Sequence, residues 1–137
     1  MYLDGQGVPQ DNAEGSRLIL LAAEQGFDRA QHNMGVLYDN GLGVPQEEVE
    51  AIRFYRLAAA HGITESQFNL GLSYSRGKGV PEDRLAGHMW LNLAAAQGHD
   101  DAAEARDAVA NLISREELAE AQQRARECFA NDYKDCD

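Results

Sequence analysis

With 137 residues, a formal charge of -11 (12 basic residues against 23 acidic) and two cysteines, the chain is sized for one compact domain. Its longest unbroken apolar run, Leu18 to Ala23, is far short of the roughly 20 residues a membrane-spanning helix needs, so no membrane insertion is expected. The ten Arg and two Lys lie scattered among acids without forming a stripe, which argues against a nucleic-acid partner held through phosphates.

Alanine occurs 21 times while Val, Ile and Thr together occur 11 times, a balance that favours helix over sheet. Along the chain, Gly5-Gln6-Gly7-Val8-Pro9 is followed by a helix beginning near Asp11, where Asp11 and Glu14 fit a capping box, and ending at Gly26. Asp28-Arg29-Ala30-Gln31 fits a second capping box and opens a helix running to about Asn40, closed by Gly41. The same sentence is then spelled again 36 residues on. Gly41-Leu42-Gly43-Val44-Pro45 precedes a helix from about Glu47 to Gly62, and Thr64-Glu65-Ser66-Gln67 opens one running to about Arg76. Gly77-Lys78-Gly79-Val80-Pro81 precedes a helix from about Asp83 to Gly98.

Leu21-Ala22-Ala23, Leu57-Ala58-Ala59 and Leu93-Ala94-Ala95 share one phase of this period, and Tyr2, Tyr38 and Tyr74 share another. Turns of two or three residues force successive helices to pack antiparallel. The expected fold is therefore all-α, a solenoid of stacked antiparallel helix pairs with Met34, Leu37, Phe54, Tyr55, Leu70, Trp90 and Leu91 in the core. A lone pair cannot bury its apolar face, so each unit depends on its neighbours. Asp100 to about Ile113 reads as a degenerate last unit. Ser114-Arg115-Glu116-Glu117 is a fresh capping box, after which Leu118, Ala121, Ala125, Cys128 and Phe129 mark one face of a helix. The expected organisation is repeats over 1–113, a C-terminal capping helix over 114–130 and a polar tail over 131–137.

Asn69-Leu70-Gly71-Leu72-Ser73-Tyr74, the Gly-x-Gly-Val-Pro loop and the Ala-Ala-x-x-Gly helix end together resemble the Sel-one-like repeat family, relatives of the tetratricopeptide repeat with a longer loop in each unit. The resemblance implies a non-catalytic adaptor or scaffold of bacterial type that binds a partner protein or peptide. In solenoids of this kind the first helices commonly line the concave surface. With Ala30, Met34, Leu37 and Tyr38 on the packed side, Gln31, His32, Asp39 and Asn40 are expected on the binding face, and their equivalents are Gln67, Phe68, Ser75 and Arg76. Phe68 serves there either as an anchor for the partner or as filler between helices.

Other constellations lead elsewhere only superficially. Gly71 to Gly79 is one residue too long for a phosphate loop and has glycine where Ser or Thr must hold the metal. Ser75-x-x-Lys78 fits the nucleophile motif of penicillin-interacting serine enzymes, but its companion motifs are missing and Gly77 closes the helix between the two residues. A weak cell-wall or β-lactam hydrolase is the rival reading it leaves. His32, His61, His88 and His99 lack partners at metal-ligand spacing, so neither a metal nor another cofactor is expected; His61 and His99 suit helix C-termini as cations.

Cys128 and Cys136 are close enough in sequence for the tail to fold back and join them, the alternative being two ordinary thiols. A bridge implies an oxidising compartment, and bacterial members of the resembled family are often periplasmic or secreted, which points away from the cytoplasm. Met1-Tyr2 aligns with Leu37-Tyr38, the last turn of a first helix. The helix from Asp11 to Gln25 is then expected to leave Leu18, Leu21 and Ala22 partly uncovered, an open end through which a homodimer or a self-assembling structural array would form.

Overall fold

The computed structural model describes residues 9–136. They form α1 (Pro9–Glu24), α2 (Asp28–Asn40), α3 (Glu48–Ala59), α4 (Thr64–Arg76), α5 (Arg84–Ala96), α6 (Asp100–Ala110) and α7 (Arg115–Ala130), with no strand among the described residues. From α1 to α6 each helix packs on the next, giving the all-α solenoid that the 36-residue period predicts. Tyr2, the first Gly-x-Gly segment and the Asp11 side chain of the expected first capping box lie outside the described residues or side chains.

Three apolar clusters run along the stack. Ala23, Met34, Leu37 and Phe54 join α1, α2 and α3. A larger group carries Ile52 and Tyr55 of α3, Leu70 and Tyr74 of α4, Met89, Trp90 and Leu93 of α5, and Ala125 and Cys128 of α7. Leu91, Ala94, Ala102 and Val109 join α5 to α6. Each large side chain so buried contributes about 1.5–3 kcal/mol, and every cluster draws on helices of more than one repeat unit. This is the physical content of a repeat that cannot stand alone.

Glycines set how closely the helices approach. A Cβ on Gly35 would lie 2.6 Å from the Tyr55 ring, and one on Gly71 would lie 2.7 Å from Leu91 Cγ and 3.0 Å from its backbone N. A Cβ on Gly87 would overlap Ser75 Oγ and lie 3.0 Å from Gly71 O. The loops are equally tight. Gly77 closes α4 in the left-handed conformation (φ 71°), as Gly41 closes α2, and Gly79 (φ 78°) lies so near α3 that a Cβ would sit 2.7 Å from Glu48 O.

The helix starts at Asp28 and Thr64 differ from expectation. Phe27 and Ile63 are the N-caps, and neither has a side-chain capping bond. Gln31 and Gln67 turn inward instead, donating from Nε2 to Ala23 O (3.5 Å) and Ala59 O (3.2 Å) of the preceding second helix. The carbonyls of Ala23 and Ala59 already accept from Gly26 N and Gly62 N in the turn, and the long amide reaching across adds a second donor to each. That recruits the glutamines away from the capping role and buries them, at 4% and 0% exposure. Asp83 does cap α5, accepting from Ala86 N, and Ser114 with Glu117 forms the expected capping box at α7.

At the far end, His99 acts at a helix start rather than as a C-terminal cation. Its Nδ1 accepts from Ala102 N at 3.0 Å, making it the N-cap of α6. α7 packs on α5 and makes little contact with α6, burying Ala121, Ala125 and Cys128 but leaving Phe129 exposed. Tyr133 reaches back to the α3–α4 turn, its ring 3.2 Å from where a Cβ of Gly62 would stand. A disulfide joins Cys128 to Cys136 and closes the tail on α7.

The glutamine seam is unequal in its two copies. Gln97 Nε2 donates to Gln67 Oε1 (2.7 Å) and to Gly62 O (3.2 Å), whereas buried Gln31 Oε1 has no partner among the described residues. The residue 36 before Gln97 is His61, whose Nδ1 is engaged with Leu57 O at 2.9 Å. A buried acceptor left unmade costs about 1–3 kcal/mol. His61→Gln is therefore expected to raise unfolding free energy by about 1 kcal/mol in urea denaturation; an unchanged or lowered midpoint would show that the seam does not propagate by the repeat.

Candidate functional site

The first helices α2 and α4 touch through side chains near the start of α4. At the start, His32 Nδ1 and Ser66 Oγ share a 2.6 Å hydrogen bond, and the His32 ring lies 5.9 Å from that of Tyr55. At the other end a hollow of about 80 Å³ opens, lined by Asp39, Asn69, Leu72, Ser73, Arg76 and Lys78. On α4 these residues fall at 69, 72, 73 and 76, the spacing of one helix stripe. Asp39 supplies the opposite wall from the last turn of α2, and Lys78 reaches in from the loop after α4.

A chain of polar contacts forms one side of the hollow. Tyr55 donates its hydroxyl to Asp39 Oδ2 at 3.3 Å. Burial, and then the Asp39 carboxylate, raise the Tyr55 pKa well above its ordinary value, so this phenol stays a neutral donor. Asp39 Oδ1 also pairs with Lys78 Nζ at 2.8 Å, with Glu48 4.0 Å from the same ammonium. Lys78 is thus matched by acids of its own chain.

The eight residues expected at a partner face divide sharply. Asp39 and Arg76 line the hollow, and Asn40 is exposed beside it, its amide donating to Val36 O at 3.0 Å. Gln31, His32 and Gln67 are instead buried, a correction with two causes: the glutamines serve backbone carbonyls across a turn, and His32 joins α2 to α4 through Ser66. Phe68 is half-buried, stacked on the His99 ring with centroids 4.4 Å apart and packed against the Leu91–Ala102 cluster, so it fills the gap between α4 and α6. Ser75 donates to Gly71 O at 2.8 Å and faces Gly87, so it points between α4 and α5.

Ser75 and Lys78 are accordingly turned to different partners and do not form a nucleophile and base. The Ser66–His32 contact has the look of such a pair, but Ser66 has 0% exposure and no substrate reaches it. Among the described residues no group of three or more His, Cys, Asp and Glu is placed to hold a metal, and no helix is long and apolar enough to cross a membrane. Asn69, Ser73 and Lys78 are absent from the expected set. The signal that points to Ser73 and Lys78 is departure from the repeat, since they stand where the preceding unit has Leu37 and Leu42; Asn69 repeats Asn33 and carries no such signal.

Paired helices on a 36-residue period, with small residues at the crossings and a polar hollow between first helices, define an α-solenoid repeat protein. The Sel1 repeat family matches residues 1–27, 28–63 and 64–99, and the chain belongs to it. Sel1 repeats generally mediate protein–protein interaction. The fold is similar to that of c5321, described as a protective antigen present in uropathogenic Escherichia coli strains displaying an SLR fold. The TM-score is 0.89 and the identity 23%, over 96% of this chain and 28% of that one. A Sel1 repeat protein from Oxalobacter formigenes is 40% identical, with a TM-score of 0.64, over 71% of this chain and 74% of its own. No curated protein sequence matches significantly.

Two buried histidines tie the stack to pH. Burial lowers the pKa of His32, with Arg29 lowering it further against an opposing effect of Glu65. Burial likewise lowers that of His88, with Arg106 adding and Asp107 opposing; His88 Nδ1 has no partner. A histidine whose folded pKa lies below the unfolded one binds fewer protons when folded, so its contribution is full above the unfolded value of about 6.5 and is lost as pH falls toward the folded value. The melting temperature is expected to fall as pH drops below about 6.5, and less so in a His32→Gln, His88→Gln variant compared with its own value at pH 8. An identical slope in that variant would contradict this origin.

Proposed function

We propose that this chain is a non-catalytic interaction module that holds a partner protein or peptide on the face of its first helices, at Asp39, Asn40, Asn69, Ser73, Arg76 and Lys78. The observation carrying this reading is the polar hollow between α2 and α4, in whose lining Ser73 and Lys78 stand where the preceding unit has Leu37 and Leu42 and Arg76 stands where it has Asn40. Leucine satisfies the stack at two of these places, so the polar groups there are available to a partner. Membership of a family that mediates protein–protein interaction supports the same conclusion. The Cys128–Cys136 bridge fits an adaptor working in an oxidising compartment, such as the periplasm or outside the cell.

A second reading is self-association through α1, favoured by Leu18 and Leu21 at 55% and 50% exposure, one turn apart. Affinity capture from source-cell extracts separates the two, using the wild-type chain beside an Asn40→Ala, Arg76→Ala version of equal melting temperature. The expected outcome is one dominant heterologous protein held by the wild type and reduced at least roughly tenfold by the variant, as for loss of a charge-assisted anchor. Recovery of only further copies of this chain by both versions would contradict the first-helix face and favour α1.

A further inference from the structure

The hollow between α2 and α4 holds two groups that the fold itself does not use. Arg76 is exposed in the last turn of α4, and no acid of the described chain lies within ion-pair distance of it. Its repeat equivalent, Asn40, has a structural task in donating to a backbone carbonyl; Arg76 has none. Ser73 is 8% exposed, lines the same hollow, and its hydroxyl makes no hydrogen bond to any described residue. In the preceding unit this place is filled by Leu37, buried at 3% within the α1–α3 cluster. A hydroxyl where the repeat accommodates leucine gives up apolar packing, and this one opens into the hollow instead of bonding within the fold.

We infer that this hollow is a carboxylate subsite, in which the Arg76 guanidinium and the Ser73 hydroxyl together bind one carboxylate group of a partner peptide. The inference rests on the interaction-module reading above and specifies its ligand chemistry. Arginine's planar fork offers parallel donors matched to the two oxygens of a carboxylate, and the hydroxyl supplies a further one. About 80 Å³ of space suits a single small planar group. Lys78, held between Asp39 and Glu48, does not add a free charge, and Asp39 on the opposite wall disfavours a dianion such as phosphate. The structure thus selects one singly charged acid, either a peptide's C-terminal carboxylate or an Asp or Glu side chain.

Three peptides, each N-terminally labelled with an uncharged BODIPY fluorophore, test this by polarisation at low salt: Gly-Ser-Gly-Leu with a free C-terminus, the same peptide amidated, and amidated Gly-Ser-Gly-Asp. At least one of the two acid-bearing peptides is expected to bind roughly tenfold or more tightly than the neutral amide, as for a charged hydrogen-bonded contact. Which acid-bearing peptide binds identifies the source of the carboxylate. Arg76→Gln is expected to abolish the difference and Ser73→Ala to reduce it severalfold, while Arg29→Gln, which removes an arginine outside the hollow, leaves it intact. Melting curves keep the variants interpretable, because Ser73→Ala removes a hydroxyl that bonds to no described residue and is expected to melt close to wild type. Equal binding of all three peptides, binding of none, or full binding by Arg76→Gln would overturn the inference. Captured protein that is lost with Arg76→Ala while no carboxylate probe binds would leave the interaction module standing and remove only its carboxylate chemistry.

Discussion

The structure depends on close approach at a few glycines, where one helix admits a side chain or carbonyl of the next in the space a Cβ would fill. Gly35 takes the Tyr55 ring, Gly71 takes Leu91, and Gly87 takes Ser75 together with Gly71 O. These approaches fix the distance between the first and second helix of each unit. At that separation Tyr55 reaches Asp39 across the pair, and Leu91 packs in the same cluster as Ala102 of α6. The stack is therefore built on a few positions where no Cβ is tolerated, and the long apolar side chains fill what those positions leave.

On that frame polar side chains act in two distinct ways. Gln31 and Gln67 bind carbonyls at the ends of second helices, and the His32–Ser66 bond joins adjacent first helices; all of these are buried and structural. Ser73, Arg76 and Lys78 occupy positions where the frame itself is satisfied by Leu37, Asn40 and Leu42. Repetition supplies the comparison that separates the two groups. Gln31 and Gln67 keep one phase and one contact, and Ser66, although it replaces Ala30, serves the stack through His32; departure from the repeat marks a group for another use only where no contact of the fold employs it, as at Ser73 and Arg76.

The fold was legible because its period is written in glycine, proline and the Leu-Ala-Ala triplet, residues whose backbone and packing consequences are local. Helix ends at Gly41 and Gly77, the Asp83 cap and the Ser114 capping box all follow from neighbouring residues. The binding face was less legible, since exposure depends on what lies across a turn. A glutamine three residues into a helix reads as half of a capping box, and only the Ala23 and Ala59 carbonyls waiting across the turn draw it inside. Phe68 reads as a possible anchor until His99, 31 residues on, is seen stacked against it. Phe129 shares a helical face with Ala125 in sequence, yet α7 crosses toward α5 and leaves it outside.

The claim on which everything else rests is that the helix crossings are set by those glycines, and Gly71→Ala tests it most directly by equilibrium urea denaturation. In a helix interior alanine is favoured over glycine by about 1 kcal/mol, so a crossing with room to spare would be stabilised by the change. The account predicts the opposite, a loss of about 1–3 kcal/mol from overpacking against Leu91 and its backbone. A gain in stability would contradict it, and with it the positions of the hollow's walls.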